Sequence, residues 1–227
     1  MTSSRTAWPT SDAERGAAAE LADLLRTIVR RPTLHARWLN TLSMLEAVGA
    51  QKIARSQPTA RLPAAVVRHL AEESRHADYL KRLAGRVAPG ACPTYERDYL
   101  LAGRPARRYF ERLDAAVTHR LDARGEPRGE PAGAAYLYVT LAIERRASRL
   151  YPLYQRVLDE AAAGLSLRGV IEEEGRHLAE IEQRLAARDP AWPALAAEFE
   201  AVESAFFAAW LRALARVVEQ AGARAEL

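Results

Sequence analysis

The string Glu-Glu-x-Arg-His occurs twice in this chain of 227 residues, in HLAEESRHADYL (69–80) and in VIEEEGRHLAEI (170–181). Each string carries a Glu-x-x-His, and that spacing has a chemical use on a helix. Residues three apart share a helical face, so Glu73 and His76 can aim a carboxylate and an imidazole at one point, and Glu174 and His177 can do the same. Around both strings apolar residues recur at three and four, and Ala, Leu, Arg and Glu dominate. That is helical spacing and helical composition, and no segment reads convincingly as a strand. The expected fold class is all-α.

Proline and glycine divide the chain into six or seven expected helices, over about 11–31, 33–56, 62–87, 105–123, 132–163, 166–187 and 191–222. Leu21, Leu24, Leu25 and Ile28 stripe the first. Pro32 opens the second, SQPTARLP separates it from the third, and Pro190 and Pro193 mark the start of the last. The stretch APGACPTYERDYLLAGRP (88–105) reads as a connection, and RGEPRGEPAG (124–133) as a charged Gly/Pro linker. One domain over 1–227 is expected, with two helix hairpins at about 33–87 and 132–187 joined by a crossover at about 88–131. The hairpins are a weak internal duplication, each a long helix followed by one that bears Glu-x-x-His.

A pair of metal ions in a helical bundle needs two further carboxylates, one from the long helix of each hairpin. Glu46 is the only acidic residue of its helix and is embedded among Leu42, Leu45, Val48 and Gly49, where an unpaired carboxylate is costly to bury. Glu144 follows an apolar run through Leu141 and Ile143. Each lies about one hairpin ahead of its Glu-x-x-His. Small residues follow by about a turn, Gly49 and Ala50 after Glu46 and Ala147 and Ser148 after Glu144, and leave room beside the metals.

Composition narrows the rest. The single cysteine, Cys92, allows neither an intrachain disulfide nor an all-cysteine metal site, which suits a reducing, cytoplasmic setting. No window is apolar enough for a signal peptide or a membrane span. The net charge of +4 is built almost wholly from arginine, since Lys52 and Lys81 are the only lysines. Arginine-rich stretches such as RPARRYFERL are read as solvated segments, not as a nucleic-acid surface.

The order Glu, Glu-x-x-His, Glu, Glu-x-x-His on four helices resembles the ferritin-like di-iron carboxylate superfamily. The match falls on Glu46, Glu73, His76, Glu144, Glu174 and His177. The resemblance covers both hairpins and implies a ferritin-like four-helix bundle with additional terminal helices. It implies that Glu46 and Glu144 are carboxylate ligands, that Glu73 and Glu174 include the bridging ones, and that His76 and His177 each terminate one metal. The longer Glu-Glu-x-Arg-His is similar to the signature of the O2-activating oxygenases and desaturases. There the leading acid and the arginine support the ligating histidines, places held here by Glu72, Arg75, Glu173 and Arg176. Two imidazoles and four carboxylates without thiolate suit iron, with manganese or a mixed Fe/Mn pair as alternatives.

The expected function is therefore activation of O2, as co-substrate, by two iron ions to oxidise a small organic substrate. Electrons would come from an external reductase or ferredoxin, because no flavin or iron-sulfur pattern is visible. Alternatives are a rubrerythrin-like peroxidase or ferroxidase, a tRNA-modifying hydroxylase, and a non-enzymatic helical interaction module. Thr140 and Tyr151 are candidates for roles beside the metals. His69, one turn before Glu73, is either a support to the ligands or a packing residue, and His35 and His119 fit no ligand spacing. The last helix, with Phe199, Phe206, Phe207, Trp210 and Leu211, either caps the bundle or forms a homodimer seam.

Overall fold

A computed structural model describes residues 12–56, 60, 62–125 and 133–223. These residues form seven α-helices and no strand: α1 (Asp12–Val29), α2 (Pro32–Arg55), α3 (Ala64–Val87), α4 (Gly103–Ala123), α5 (Ala134–Glu160), α6 (Arg168–Arg188) and α7 (Trp192–Ala223). Most of the linker expected at 124–133 lies outside the described residues. No helix among them is long and apolar enough to cross a membrane.

Local chemistry accounts for most boundaries. Pro32 occupies the first turn of α2, where its missing N–H costs nothing, and the Ser56 hydroxyl closes the far end on the Ile53 carbonyl at 2.7 Å. Ala102 takes the left-handed conformation just before α4, at φ 53°. The next residue has to be small, because a Cβ on Gly103 would lie 2.4 Å from the Leu100 side chain. α5 runs on through Pro152, which cannot bond the Ser148 carbonyl.

The two hairpins are antiparallel, and the contacts give their register. Asn40, Ser43 and Glu46 climb α2 as their partners Lys81, Ala77 and Glu73 descend α3. Likewise Arg145 meets Glu182, whereas Gln155, further along α5, holds the backbone N–H of Leu167 just ahead of α6. α3 and α6 also run antiparallel, with Arg68 on Glu180 and Arg75 on Glu173. Both Glu-x-x-His motifs therefore face each other across one seam.

The segment between α3 and α4 is docked, not loose. Asn40 donates to the carbonyls of Thr94 (2.9 Å) and Tyr99 (2.8 Å), and Thr41 accepts from the Leu101 N–H at 2.8 Å. Arg37 reaches the Leu100 carbonyl at 2.7 Å. The buried polar residues Asn40 and Thr41 of α2 are thus satisfied by the backbone of this segment. α7 turns its apolar face inward: Phe199, Phe207, Trp210, Leu214 and Val218 are buried, and Trp210 stacks on Trp38 with ring centroids 5.9 Å apart. Each such side chain taken out of water contributes about 1.5–3 kcal/mol. The wide apolar face of the last helix is therefore used within the chain.

His35 is buried against Tyr154, its Nε2 2.6 Å from the hydroxyl. Burial lowers its pKa from 6.5 to about 4. The unfolded chain takes up a proton near pH 6.5 that the folded chain refuses until about pH 4. This contribution to stability is therefore whole above pH 6.5 and is lost as pH falls to about 4. A shift of this size corresponds to about 3 kcal/mol. In urea unfolding at about pH 7 and about pH 4 the wild type should lose about 3 kcal/mol more than His35→Gln does. Equal losses in both proteins would contradict a neutral buried His35.

Candidate metal centre

The facing hairpins gather a buried cluster of acids and histidines from α2, α3, α5 and α6. Each member arrives on a stretch that packs for apolar reasons. Glu46 sits one turn from Leu42 on α2, and Glu144 follows Leu141 on α5, so the face that seats the leucines in the core carries the carboxylates inward. On α3 and α6 the motif residues Glu72, Glu73, His76, Glu174 and His177 are buried, while Arg75 and Arg176 reach the surface.

Two overlapping groups of side chains could each hold a metal ion. One is His69, Glu73, Glu144 and His177, and the other is Glu46, Glu73, His76 and Glu174; within each group one donor atom per residue lies within 4.8 Å of the others. All six residues expected from sequence take part. The grouping, however, is not one ion per Glu-x-x-His. The Glu-x-x-His of α6 is split, with His177 in one group and Glu174 in the other, whereas on α3 Glu73 joins His76 in one group and His69 in the other. Among the described residues Glu73 is the only one shared.

Four of the inward atoms are buried without a well-formed hydrogen bond, His76 Nδ1, His177 Nδ1, Glu144 Oε2 and Glu174 Oε1, the first and last lying 3.0 Å apart. Buried polar atoms are rarely left this way, and convergent imidazole nitrogens and carboxylate oxygens are the donor set of a divalent metal. The outer nitrogens are by contrast well held. His76 Nε2 lies 2.8 Å from Glu173 and His177 Nε2 2.7 Å from Glu72. Each glutamate is held by an arginine, Arg75 on Glu173 at 2.8 Å and Arg176 on Glu72 at 3.4 Å. The supports cross: the acid leading one motif holds the histidine of the other. An acceptor on the outer nitrogen fixes the tautomer and turns the inner lone pair toward the centre.

The metal-free electrostatics follow from this crowding. Desolvation and the charges of Glu73 and Glu174 push the Glu46 carboxyl well above the usual range, and Tyr151 donates a hydrogen bond to it. Desolvation and the Glu144 charge raise Glu174 as well. Desolvation opposes charge on the imidazoles, yet the carboxylates outweigh it: His177 is raised to about 11 and His69 to about 12, and His76 moves the same way. The cluster thus balances its acids with protons when no metal is bound, and a metal must displace those protons to bind.

No family model, curated protein or solved structure matches this chain. The reading of the centre therefore rests on its own geometry.

A cavity of about 500 Å³ adjoins the centre on one side. His69, Glu73 and Glu144 form its floor, and Gly49, Phe110, Tyr136, Thr140 and Ile143 are among its walls. Gly49 is needed small, since a Cβ there would lie 3.3 Å from Glu73 Oε2. Further out Lys52 pairs with Asp114 of α4 at 2.7 Å. A second space of about 60 Å³ lies by Glu46, Tyr151 and Ala147 and shares Gly49, Glu73, Phe110 and Ile143 with the first.

The other residues read as candidates separate cleanly. Thr140 lines the larger cavity, and Tyr151 bonds Glu46. Tyr136 bonds His69, whereas Tyr79 bonds the Ser166 carbonyl, Tyr138 packs on Phe199, and Tyr154 bonds His35. His119 is exposed and belongs to neither ligand group. Sequence reading weighed His69 only as support or packing, and it did not anticipate that α4, inside the crossover, would wall the cavity with Phe110, Asp114 and Thr118. The available signal was the apolar spacing of α4, which shows a packed helix but not what it encloses.

Proposed function

We propose that this chain is a di-iron carboxylate oxidoreductase of ferritin-like architecture that activates O2 and oxidises a small organic substrate. The observation that carries the reading is the pair of donor groups joined through Glu73, with buried inward atoms left without well-formed hydrogen bonds. Glu46, Glu73, His76, Glu144, Glu174 and His177 would hold the metals. Four carboxylates match the charge of two divalent ions, and two ferrous ions so held would supply reducing electrons to O2.

The chain's own residues do the remaining work. Glu72 and Glu173 keep His177 and His76 as donors by holding their outer N–H groups. Tyr151 holds one oxygen of Glu46 and so restricts how that carboxylate can turn. Phe110, Val139 and Ile143 exclude water from the inner cavity, which strengthens every polar interaction there. Thr140 offers a hydroxyl from the cavity wall. Lys52 and Asp114 can exchange their mutual ion pair for contacts with a polar end of the substrate.

The size of the cavity favours an organic substrate over a peroxidase that handles hydrogen peroxide alone, because about 500 Å³ is the scale of a small-molecule site. If one atom of O2 enters the substrate and the other leaves as water, two electrons beyond those of the substrate are needed, from a separate reductase or ferredoxin. The test is anaerobic loading with Fe(II), a metal count, and the visible spectrum on adding O2. Two irons per chain and a transient band are expected, and His76→Ala should lose the band and the iron held with Glu46 and Glu174 while keeping the other. No bound iron, or iron indifferent to that substitution, would overturn the reading. Rapid consumption of hydrogen peroxide without any organic substrate would favour the peroxidase instead.

A further inference from the structure

We infer that His69 is a seventh metal-ligating side chain, which makes the two metal positions chemically unequal; this rests on the dinuclear reading above. One position would have two imidazoles, His69 and His177, with Glu144 and the shared Glu73. The other would have one, His76, with Glu46, Glu174 and Glu73.

His69 Nε2 lies 3.2 Å from Glu73 Oε1 and 3.3 Å from Glu144 Oε1. His177 Nδ1 lies 3.6 Å from each of the same two oxygens. Donors about 2.1 Å from one metal are about 3.4 Å apart in a tetrahedron and about 3.0 Å apart at neighbouring corners of an octahedron. The four separations cluster at the tetrahedral value, so two nitrogens and two oxygens surround a single point.

A protonated His69 acting only as counter-ion would instead close on one carboxylate. Charge-assisted hydrogen bonds are about 2.7–2.9 Å long, and the outer contacts of His177 and His76, at 2.7 and 2.8 Å, have that length. His69 Nε2 instead makes a long hydrogen bond to Glu73 at 3.2 Å and lies almost equally far, 3.3 Å, from Glu144. The two rings it would join are also close, with centroids of His69 and His177 4.3 Å apart.

The outer side of the ring gives a second argument. His69 Nδ1 lies 2.9 Å from the Tyr136 hydroxyl, so this imidazole too has one nitrogen aimed inward and the other held from outside. All three histidines of the cluster share that arrangement, the support being Glu72, Glu173 or Tyr136. A neutral phenol polarises its histidine less than a carboxylate does, so His69 is the weakest donor of the three. It is also the imidazole that faces the large cavity, together with Tyr136. The metal nearest the substrate would be the nitrogen-rich one.

Cobalt(II) serves as the probe, since its absorption reports donor type and geometry and needs no turnover. The full chain, freed of metal, is titrated by calorimetry and by visible absorption. The wild type should bind two ions in two steps of unequal affinity. In His69→Ala one step should weaken by more than about 100-fold with loss of its absorption while the other is unchanged, and Tyr136→Phe should weaken the same step by about 10-fold, as expected for an outer partner. Millimolar imidazole, entering by the cavity, should restore the lost step in His69→Ala, which a merely structural role would not allow. His69→Gln, closer in size and polarity, takes the place of His69→Ala if the smaller residue does not fold. Two ions bound by wild type and variant with the same affinities and spectra would overturn the His69 assignment alone. A wild type that binds no cobalt would overturn the dinuclear reading beneath it.

Discussion

Glu73→Ala is expected to empty both metal positions, weakening each by more than about 100-fold, a larger loss than the 10- to 100-fold typical when only an outer hydrogen-bonding partner is removed. The reason is that Glu73 alone belongs to both donor groups. Deleting it would take one of four protein donors from each proposed metal position, together with the one side chain the two positions share. Glu144→Ala should act differently, weakening the group with His69 and His177 and leaving the group with Glu46 and His76 nearly as it was. The measurement is a metal count after desalting, with affinities from titration of each variant. A Glu73→Ala protein that kept one ion at wild-type affinity would show that Glu73 serves a single metal. The grouping of donors across the helices would then be wrong.

That grouping marks the limit of what sequence could tell. The helices were legible because proline and glycine punctuate them: Pro32 opens α2 as expected, and α5 and α6 begin and end within about three residues of the expected bounds. The six acids and histidines at the centre were legible because Glu-x-x-His fixes a face, and because an acid alone in an apolar helix demands a reason. Which histidine meets which glutamate was not, since that depends on the register of α3 against α6 and local spacing says nothing about it. His69 shows the same limit. Its place on the face of Glu73 and His76 follows from a spacing of four, but the approach of its Nε2 to Glu144 is a contact between helices far apart in the chain. The cavity was hidden for a related reason. α4 was expected as a helix over about 105–123 within the crossover, but its spacing does not tell that it packs on α5 and α7 and lines the space in front of Glu144.

Away from the metal ligands the largest expected effect on stability comes from Glu203. Its carboxylate is 1% exposed and receives a two-pronged bond from Arg146, at 2.8 and 2.7 Å, with a third bond from the Tyr109 hydroxyl at 2.7 Å. The Arg146 guanidinium lies 4.0 Å over the Phe207 ring. These contacts join α7 to α5 and α4, and Arg146 also lines the small space beside Glu46 and Tyr151. Removing one partner of such a pair leaves the other charge buried without compensation, at a cost of about 3–5 kcal/mol, whereas replacing both with apolar groups costs far less. Glu203→Ala should therefore lower the melting temperature by about 10 °C for a chain of this size. Adding Arg146→Met to Glu203→Leu should recover most of that loss. Urea unfolding of Glu203→Leu, Arg146→Met and the double variant measures this, and the double's loss minus the sum of the two single losses is the coupling between the residues. A single variant that lost less than about 1 kcal/mol would mean that water reaches Arg146 when its partner is gone. Because the same arginine borders the space beside Glu46, such water would lie directly against the proposed metal centre.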